Sequence, residues 1–289
     1  MSTVNPAPPL APLSPPDQTL IAQAVETRFS PGLVLKALTP LAGDASNRRY
    51  YRATVAGGPP HAVIVMQLAE PEGFKQSEEA VSGGIHQIVE LPFINIMSHL
   101  AKANVPVPAL HYYDQSAGLL YLEDFGDVTL AEAVSQADAP CLESRYKQAI
   151  NVLVQMQINA TTPADPGCLA FHRSFDVPLL MWEFDHFLEY GIVARRGNPL
   201  PEKDATAIRR EFEGIAELLA GQPRVFTHRD YHSRNLMVDG LRLGVIDFQD
   251  ALMGPATYDL ASLLRDAYIR LDEALVDNLV GYSLDQLAE

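Results

Sequence analysis

The apolar period of this chain changes once, near Gly126, and that switch limits the folds open to it. Before it, Arg49-Tyr-Tyr-Arg-Ala-Thr-Val55 and Ala62-Val-Ile-Val-Met66 are rich in aromatic and β-branched residues, with turn chemistry in Gly57-Gly-Pro-Pro60 between them. That pattern predicts a β-hairpin, preceded by a Gly-containing approach loop from Leu41 to Arg48. Leu110 to Asp114 and Gly118 to Asp124 read as two further strands. Helices are expected over Asp17–Phe29, capped by Asp17, and from Pro92 to about Ala103, with a long mobile loop over 69–90. After Gly126 the apolar residues fall at helical spacing in Leu130–Val134, Tyr146–Ile158, Pro178–Tyr190, Asp204–Leu219 and Tyr258–Tyr268. A compact insert of loop and strand, 224–255, interrupts them. The expected class is α+β, with a small mixed β-sheet unit over residues 17–124 and a mainly helical unit over 125–289.

Charge narrows the function classes. With 36 acidic and 21 basic side chains among 289 residues, the net charge is −15. Such a field repels polyanions, so neither nucleic acid nor an anionic membrane is an expected partner. Two cysteines, Cys141 and Cys168, make no disulfide framework and no zinc cluster. No stretch approaches the ~20 apolar residues that cross a bilayer. Met1–Pro16 holds six prolines and no basic residue, unlike a secretion signal. It reads as a disordered or polyproline-like tail on a cytoplasmic protein, with a ligand for a proline-recognising module as the alternative.

The chemistry concentrates in Phe226-Thr-His-Arg-Asp-Tyr-His-Ser-Arg-Asn-Leu-Met-Val238 and Leu243-Gly-Val-Ile-Asp-Phe-Gln-Asp250. His228-Arg229-Asp230 followed by Asn235 matches H-R-D-x-x-x-x-N, a spacing that chance supplies in about one of several hundred such chains. Asp247 ends a strand-like run twelve residues beyond Asn235. Asp230 is suited to accept or orient the proton of an attacking hydroxyl, and Asn235 and Asp247 offer hard oxygen ligands for Mg²⁺. Taken singly, each of these residues is as well explained by a cap or a strand end; their joint spacing points to phosphoryl transfer from ATP.

These motifs resemble the aminoglycoside phosphotransferase and choline kinase family, built on a two-lobed protein-kinase-like fold. Leu41-Ala-Gly-Asp-Ala-Ser-Asn-Arg-Arg-Tyr-Tyr-Arg52, Leu122-Glu-Asp-Phe-Gly-Asp127, the Asp230 and Asp247 segments, and Gly254 to Asp266 are most similar to the anomeric N-acetylmuramate/N-acetylglucosamine kinases of bacterial cell-wall recycling. The resemblance spans about residues 38–270. It implies that Ser46 and Asn47 cover the nucleotide phosphates and that Glu123, Asp124 and Phe125 form a hinge reading the adenine edge. It also implies a catalytic Asp230, Asn235 and Asp247 on metal, and Asp259 as a brace for the catalytic loop. The triplet Asp124-Phe125-Gly126 precedes that loop by about a hundred residues and is a coincidental D-F-G.

Two departures matter. Met66 stands where kinases place a phosphate-pairing lysine; Arg48 or Arg49 could substitute, or both are solvated strand-end charges. The helical pattern of Glu273–Glu289 runs to the last residue, whereas such kinases continue further, which predicts a missing part of the acceptor-binding portion. His232 and Arg234, inside the catalytic loop, are candidate acceptor residues. Glu183 is a third, with His186 and Trp182 beside it, against the plain alternatives of core packing and a solvated face. The expected acceptor is a small molecule, an amino sugar or an amino alcohol. A choline-, homoserine- or aminoglycoside-type kinase and a nucleotide-binding pseudokinase remain as competing readings.

Overall fold

The computed structural model describes residues 14–41, 48–68 and 90–288, which fall into two compact units. The first comprises the described residues within 1–73 together with Ala109–Asp124; the second holds those within 74–108 and from Phe125 onward. Residues 1–13 of the Pro-rich start, Ser46, Asn47 and nearly all of the expected 69–90 loop lie outside the described residues; at the described end of that start Pro16 is buried and the Ser14 carbonyl accepts the Gln67 Nε2 at 3.1 Å.

In the first unit, helix α1 (Gln18–Arg28) is capped by Asp17, whose carboxylate accepts the Thr19 N–H at 2.8 Å. The sheet contains β1 (Val34–Pro40), β2 (Arg48–Ala56), β3 (Ala62–Leu68), β4 (Leu110–Asp114) and β5 (Leu119–Glu123), in the order β1-β2-β3-β5-β4. Every neighbouring pair is antiparallel, so the expected mixed sheet is corrected. Short turns join β2 to β3 and β4 to β5, and a parallel pair would have needed a crossover. Strand β1 escaped the sequence reading because its residues are mostly exposed and lack alternation.

Register divides the faces of this sheet. Tyr51, Ala53 and Val55 share the Val63, Val65 and Tyr121 face, and Ile21, Ala24 and Val25 of α1 pack there. Arg48, Tyr50 and Arg52 point to the other face, opposite Leu68, Met66 and Ile64.

The second unit is mainly helical. It comprises α2 (Pro92–Lys102), α3 (Leu130–Val134), α4 (Ala139–Asn159), α5 (Val177–His186), α6 (Glu202–Ala220), α7 (Thr257–Leu264) and α8 (Glu273–Ala288). Helix α5 runs on into a π-helical turn, Phe187–Val193. Two small antiparallel pairs complete it: β6 (Arg224–Thr227) with β9 (Leu252–Pro255), and β7 (Leu236–Asp239) with β8 (Arg242–Val245).

Helix α2, placed with the sheet by the sequence reading, belongs to this second unit. Its apolar stripe explains why: Phe93 meets Phe248 at 4.9 Å, and His99 stacks on Phe226 while its Nε2 bonds the Ala160 carbonyl at 2.7 Å. Helix α7 stops at Leu264, short of the expected Tyr268, because the Asp266 carboxylate captures the Tyr268 and Ile269 N–H groups. Among the described residues, no helix is long and apolar enough to cross a membrane, and both cysteines are free.

Candidate active site

The candidate site is built on the segment between β6 and β7 and the segment after β8. Strand β6 delivers His228, which is fully buried. Its Nε2 lies 3.0 Å from the Ile246 carbonyl and its Nδ1 accepts the Asp230 N–H at 3.3 Å. This division of roles requires the neutral ring protonated at Nε2. Burial pushes the His228 pKa down to about 4, against the raising influence of Asp247, so the neutral form is the resident one. The ring therefore ties the Asp230 backbone to the strand end that carries Asp247.

Asp259, on α7, is the second anchor. Its buried carboxylate accepts the N–H groups of His228 at 2.7 Å and Arg229 at 3.0 Å. Burial pushes its pKa up to about 7, while the two N–H donors pull the other way. Arg229 needs this support, since its backbone sits at φ +80°. The Arg229 guanidinium meets Glu183 of α5 at 2.6 Å. Glu183, expected as an acceptor residue, is thereby placed beside the catalytic loop.

Asp230 opens toward solvent at the tip of this construction. The protein packed around its carboxyl raises its pKa; Arg229 and His232 oppose the rise, and Asp247 and Asp250 add to it. Such an aspartate holds a proton more readily than one in water, as suits a group that receives a hydroxyl proton.

The loop then folds back on itself. His232 N–H bonds the Asp230 carbonyl at 2.9 Å, and Asn235 N–H bonds the His232 carbonyl at 3.0 Å. The Asn235 side chain donates its Nδ2 to the Asp230 carbonyl at 3.0 Å, which leaves Oδ1 as its acceptor end. The Ile246 N–H donates to the Asn235 carbonyl at 3.0 Å, drawing the Asp247 segment alongside. Asp247 itself adopts φ +66°, and the nearly buried Gln249 donates its Nε2 to Asp247 Oδ1 at 2.9 Å and to Asp250 Oδ2 at 3.2 Å. Asp230, Asn235 and Asp247 are brought together by backbone bonding, not by sequence adjacency.

An amide oxygen and a carboxylate on neighbouring segments are the hard donors that Mg²⁺ accepts, its other positions being filled by water and phosphate oxygens. The donor chemistry of Asn235 and Asp247 fits that ion. Among the described residues no group of three or more His, Cys, Asp or Glu side chains is placed to hold a metal ion.

Further bracing went unread in the sequence. Tyr231 is buried and donates its hydroxyl to the Ala149 carbonyl of α4 at 2.8 Å. Asp266 accepts the Ser233 N–H at 3.0 Å as well as the two amides of its own turn. Its only sequence signal was the aspartate ending the Gly254–Asp266 stretch. Of the two remaining acceptor candidates in the loop, Arg234 lies with its Cζ 3.8 Å from the Tyr268 ring centre, and the His232 ring meets the same tyrosine edge to face at 5.3 Å. His232 Nδ1 is buried and has no hydrogen-bond partner among the described residues.

The nucleotide candidates are spread over both units. Phe125 opens the second unit's longer segment, buried beneath β8, where a Cβ added at Gly244 would run into its ring. In the first unit, Glu123 closes β5 and exchanges bonds with Ala109, its N–H reaching the Ala109 carbonyl at 2.8 Å. Asp124 binds Arg52 through two contacts, Nε to Oδ2 at 2.6 Å and Nη2 to Oδ1 at 3.0 Å. Arg52 was not singled out in the sequence, although an arginine two residues from Tyr50 on a half-buried strand must share its face. Met66 is wholly buried, and Arg48 shares its face of the sheet whereas Arg49 lies on the α1 face.

An N-acetylmuramate/N-acetylglucosamine kinase of Pseudomonas putida is 31% identical over 245 residues, covering 85% of this chain and 64% of that protein. One from Neisseria meningitidis is 32% identical over 247 residues, covering 84% and 65%. The chain thus spans slightly less than two thirds of the length of these relatives. Among solved structures, a choline kinase from Cryptosporidium parvum superposes with a TM-score of 0.61 at 13% identity, over 94% of this chain and 80% of that one, a likeness that shows the kinase-like α+β fold. The model of the phosphotransferase enzyme family known as APH matches residues 37–288, and the chain belongs to that family.

Proposed function

We propose that this protein transfers the γ-phosphoryl group of ATP to a hydroxyl of an N-acetylated amino sugar, the anomeric hydroxyl of N-acetylmuramate or N-acetylglucosamine, in the cytoplasmic recycling of cell-wall sugars. The observation that carries the reading is the Asp230, Asn235 and Asp247 constellation, clamped from behind by His228 and Asp259. The names of the two bacterial relatives supply the acceptor class.

In this reading the acceptor oxygen attacks the γ-phosphorus, the bond to the β–γ bridging oxygen breaks, and ADP leaves. The hydroxyl proton passes to Asp230, whose raised pKa and fixed backbone suit that role. Asn235 and Asp247 would hold Mg²⁺, which when bound offsets the charge of the phosphates. Ser46, Asn47 and Arg48 would contribute donors to the nucleotide, and Glu123, Asp124 and Phe125 would flank its base. Arg48 is favoured over Arg49 as the replacement for the absent strand lysine, because it shares the Met66 face.

The test is a turnover assay with Mg-ATP and a panel of N-acetylglucosamine, N-acetylmuramate, choline, homoserine and an aminoglycoside, with products followed by phosphorus NMR. The expected product is a sugar 1-phosphate. Turnover confined to the amino alcohols or the aminoglycoside would move the protein to another acceptor class. Tight Mg-ATP binding with no turnover of any acceptor would make it a regulatory nucleotide-binding module.

A further inference from the structure

Arg234 occupies an unusual position for a cation in a −15 chain. It lies four residues after Asp230 and directly before Asn235, with its side chain exposed. One carboxylate organises its surroundings: Asp266 accepts the Ser233 N–H at 3.0 Å through Oδ2, and the Tyr268 N–H at 2.8 Å through Oδ1. The same residue therefore fixes the backbone that presents Arg234 and the ring on which its guanidinium rests, 3.8 Å away. A guanidinium stacked on an aromatic face keeps its N–H edges free to point outward. One carboxylate whose charge feels Arg234, Glu132, is committed to the Thr129 N–H at 2.8 Å and the Thr129 hydroxyl at 2.9 Å in a capping box.

We propose that the Arg234–Tyr268 stack is a subsite for a carboxylate carried by the acceptor, and that it sets the preference between carboxylated and uncharged amino sugars. The inference rests on the amino-sugar kinase reading above and deepens it. N-acetylmuramate differs from N-acetylglucosamine by an ether-linked lactyl group that ends in a carboxylate. Without a local cation, the long-range field of this chain disfavours such an anion relative to the neutral sugar. A planar guanidinium already ordered by Tyr268 and Asp266 gives bidentate recognition with little further ordering.

The experiment compares kcat/KM for N-acetylmuramate and N-acetylglucosamine in the wild type, Arg234→Gln, Arg234→Lys and Tyr268→Leu, with thermal melts to confirm folding. The ratio of the two specificity constants is the readout. Arg234→Gln is expected to lower the muramate-to-glucosamine ratio by about tenfold or more, chiefly through KM for N-acetylmuramate. Arg234→Lys keeps the charge but not the fork, and Tyr268→Leu keeps the fork but not its support, so both should fall between. In the unsubstituted protein, added salt should weaken N-acetylmuramate use more steeply than N-acetylglucosamine use. An unchanged ratio in Arg234→Gln, or parallel salt dependence for the two sugars, overturns the subsite while leaving the kinase reading intact. Failure of the wild type to phosphorylate either sugar overturns both.

Discussion

Asp259 accepts the His228 amide at 2.7 Å across thirty-one residues of sequence, joining α7 to the loop that holds Asp230. The bond is buried, and the Arg229 amide shares the same carboxylate. Replacing Asp259 by Ala leaves the buried His228 N–H and the part-buried Arg229 N–H without this acceptor, the buried one costing about 1–3 kcal/mol, so the melting temperature should drop by several degrees. Differential scanning calorimetry measures it.

The same carboxyl predicts a pH dependence. Burial raises its folded pKa to about 7 from the ordinary 3.8, so between those values the folded protein holds a proton that the unfolded chain releases. The contribution of Asp259 to stability is then fullest below the unfolded pKa and is lost as pH rises toward about 7. Asp259→Asn removes this titration. The gap in melting temperature between wild type and Asp259→Asn should shift in favour of the variant from pH 4 to pH 7, and a pH-independent gap would contradict the assignment.

Much of this architecture is legible from residues alone, and the exceptions have physical causes. The β2–β3 hairpin follows from its Gly57-Gly-Pro-Pro60 turn, and α1 from Asp17 and its buried stripe. The antiparallel β2–β3 pair is implicit in that hairpin, but the direction of the β3–β5 pairing was not read, because strand composition does not say in which direction segments far apart in sequence pair. Helix α2 has a strong apolar face, yet nothing local says that Phe248 rather than the sheet will cover it. Around the site, the motif spacing marks Asp230, Asn235 and Asp247, while Asp266 and Arg52 act through contacts made at long range, which leave no pattern in sequence.

The Arg229–Glu183 ion pair, at 2.6 Å, holds the side chain of a residue whose own backbone is strained. Glu183→Ala should loosen Arg229 and misplace the neighbouring Asp230, lowering kcat by about ten- to a hundred-fold with a smaller change in KM. Glu183→Gln keeps an acceptor and should fall less. Steady-state kinetics on both variants distinguish this positioning role from acceptor binding, which would raise KM instead.

Gly244 lies against Phe125 so closely that a methyl group there meets three atoms of the ring. Gly244→Ala should therefore cost about 1–3 kcal/mol through displacement of Phe125 or β8. Phe125→Leu in the same background makes room and should recover part of the loss. Chemical denaturation of the single and double variants tests the coupling.

Asn235 and Asp247 make a prediction about Mg²⁺. Asn235→Ala and Asp247→Asn should each raise the Mg²⁺ concentration needed for half-maximal Mg-ATP binding by about tenfold or more, read by calorimetric titration in the absence of acceptor. Unchanged Mg²⁺ dependence in both would remove these residues from the metal site.

The central claim is that Asp230 receives the acceptor proton, and Asp230→Asn tests it most directly. Nucleotide affinity and turnover of N-acetylglucosamine should be measured on one preparation of this variant. The account predicts Mg-ATP binding within a few-fold of wild type and kcat lower by about a hundred-fold or more; wild-type turnover by Asp230→Asn would contradict it.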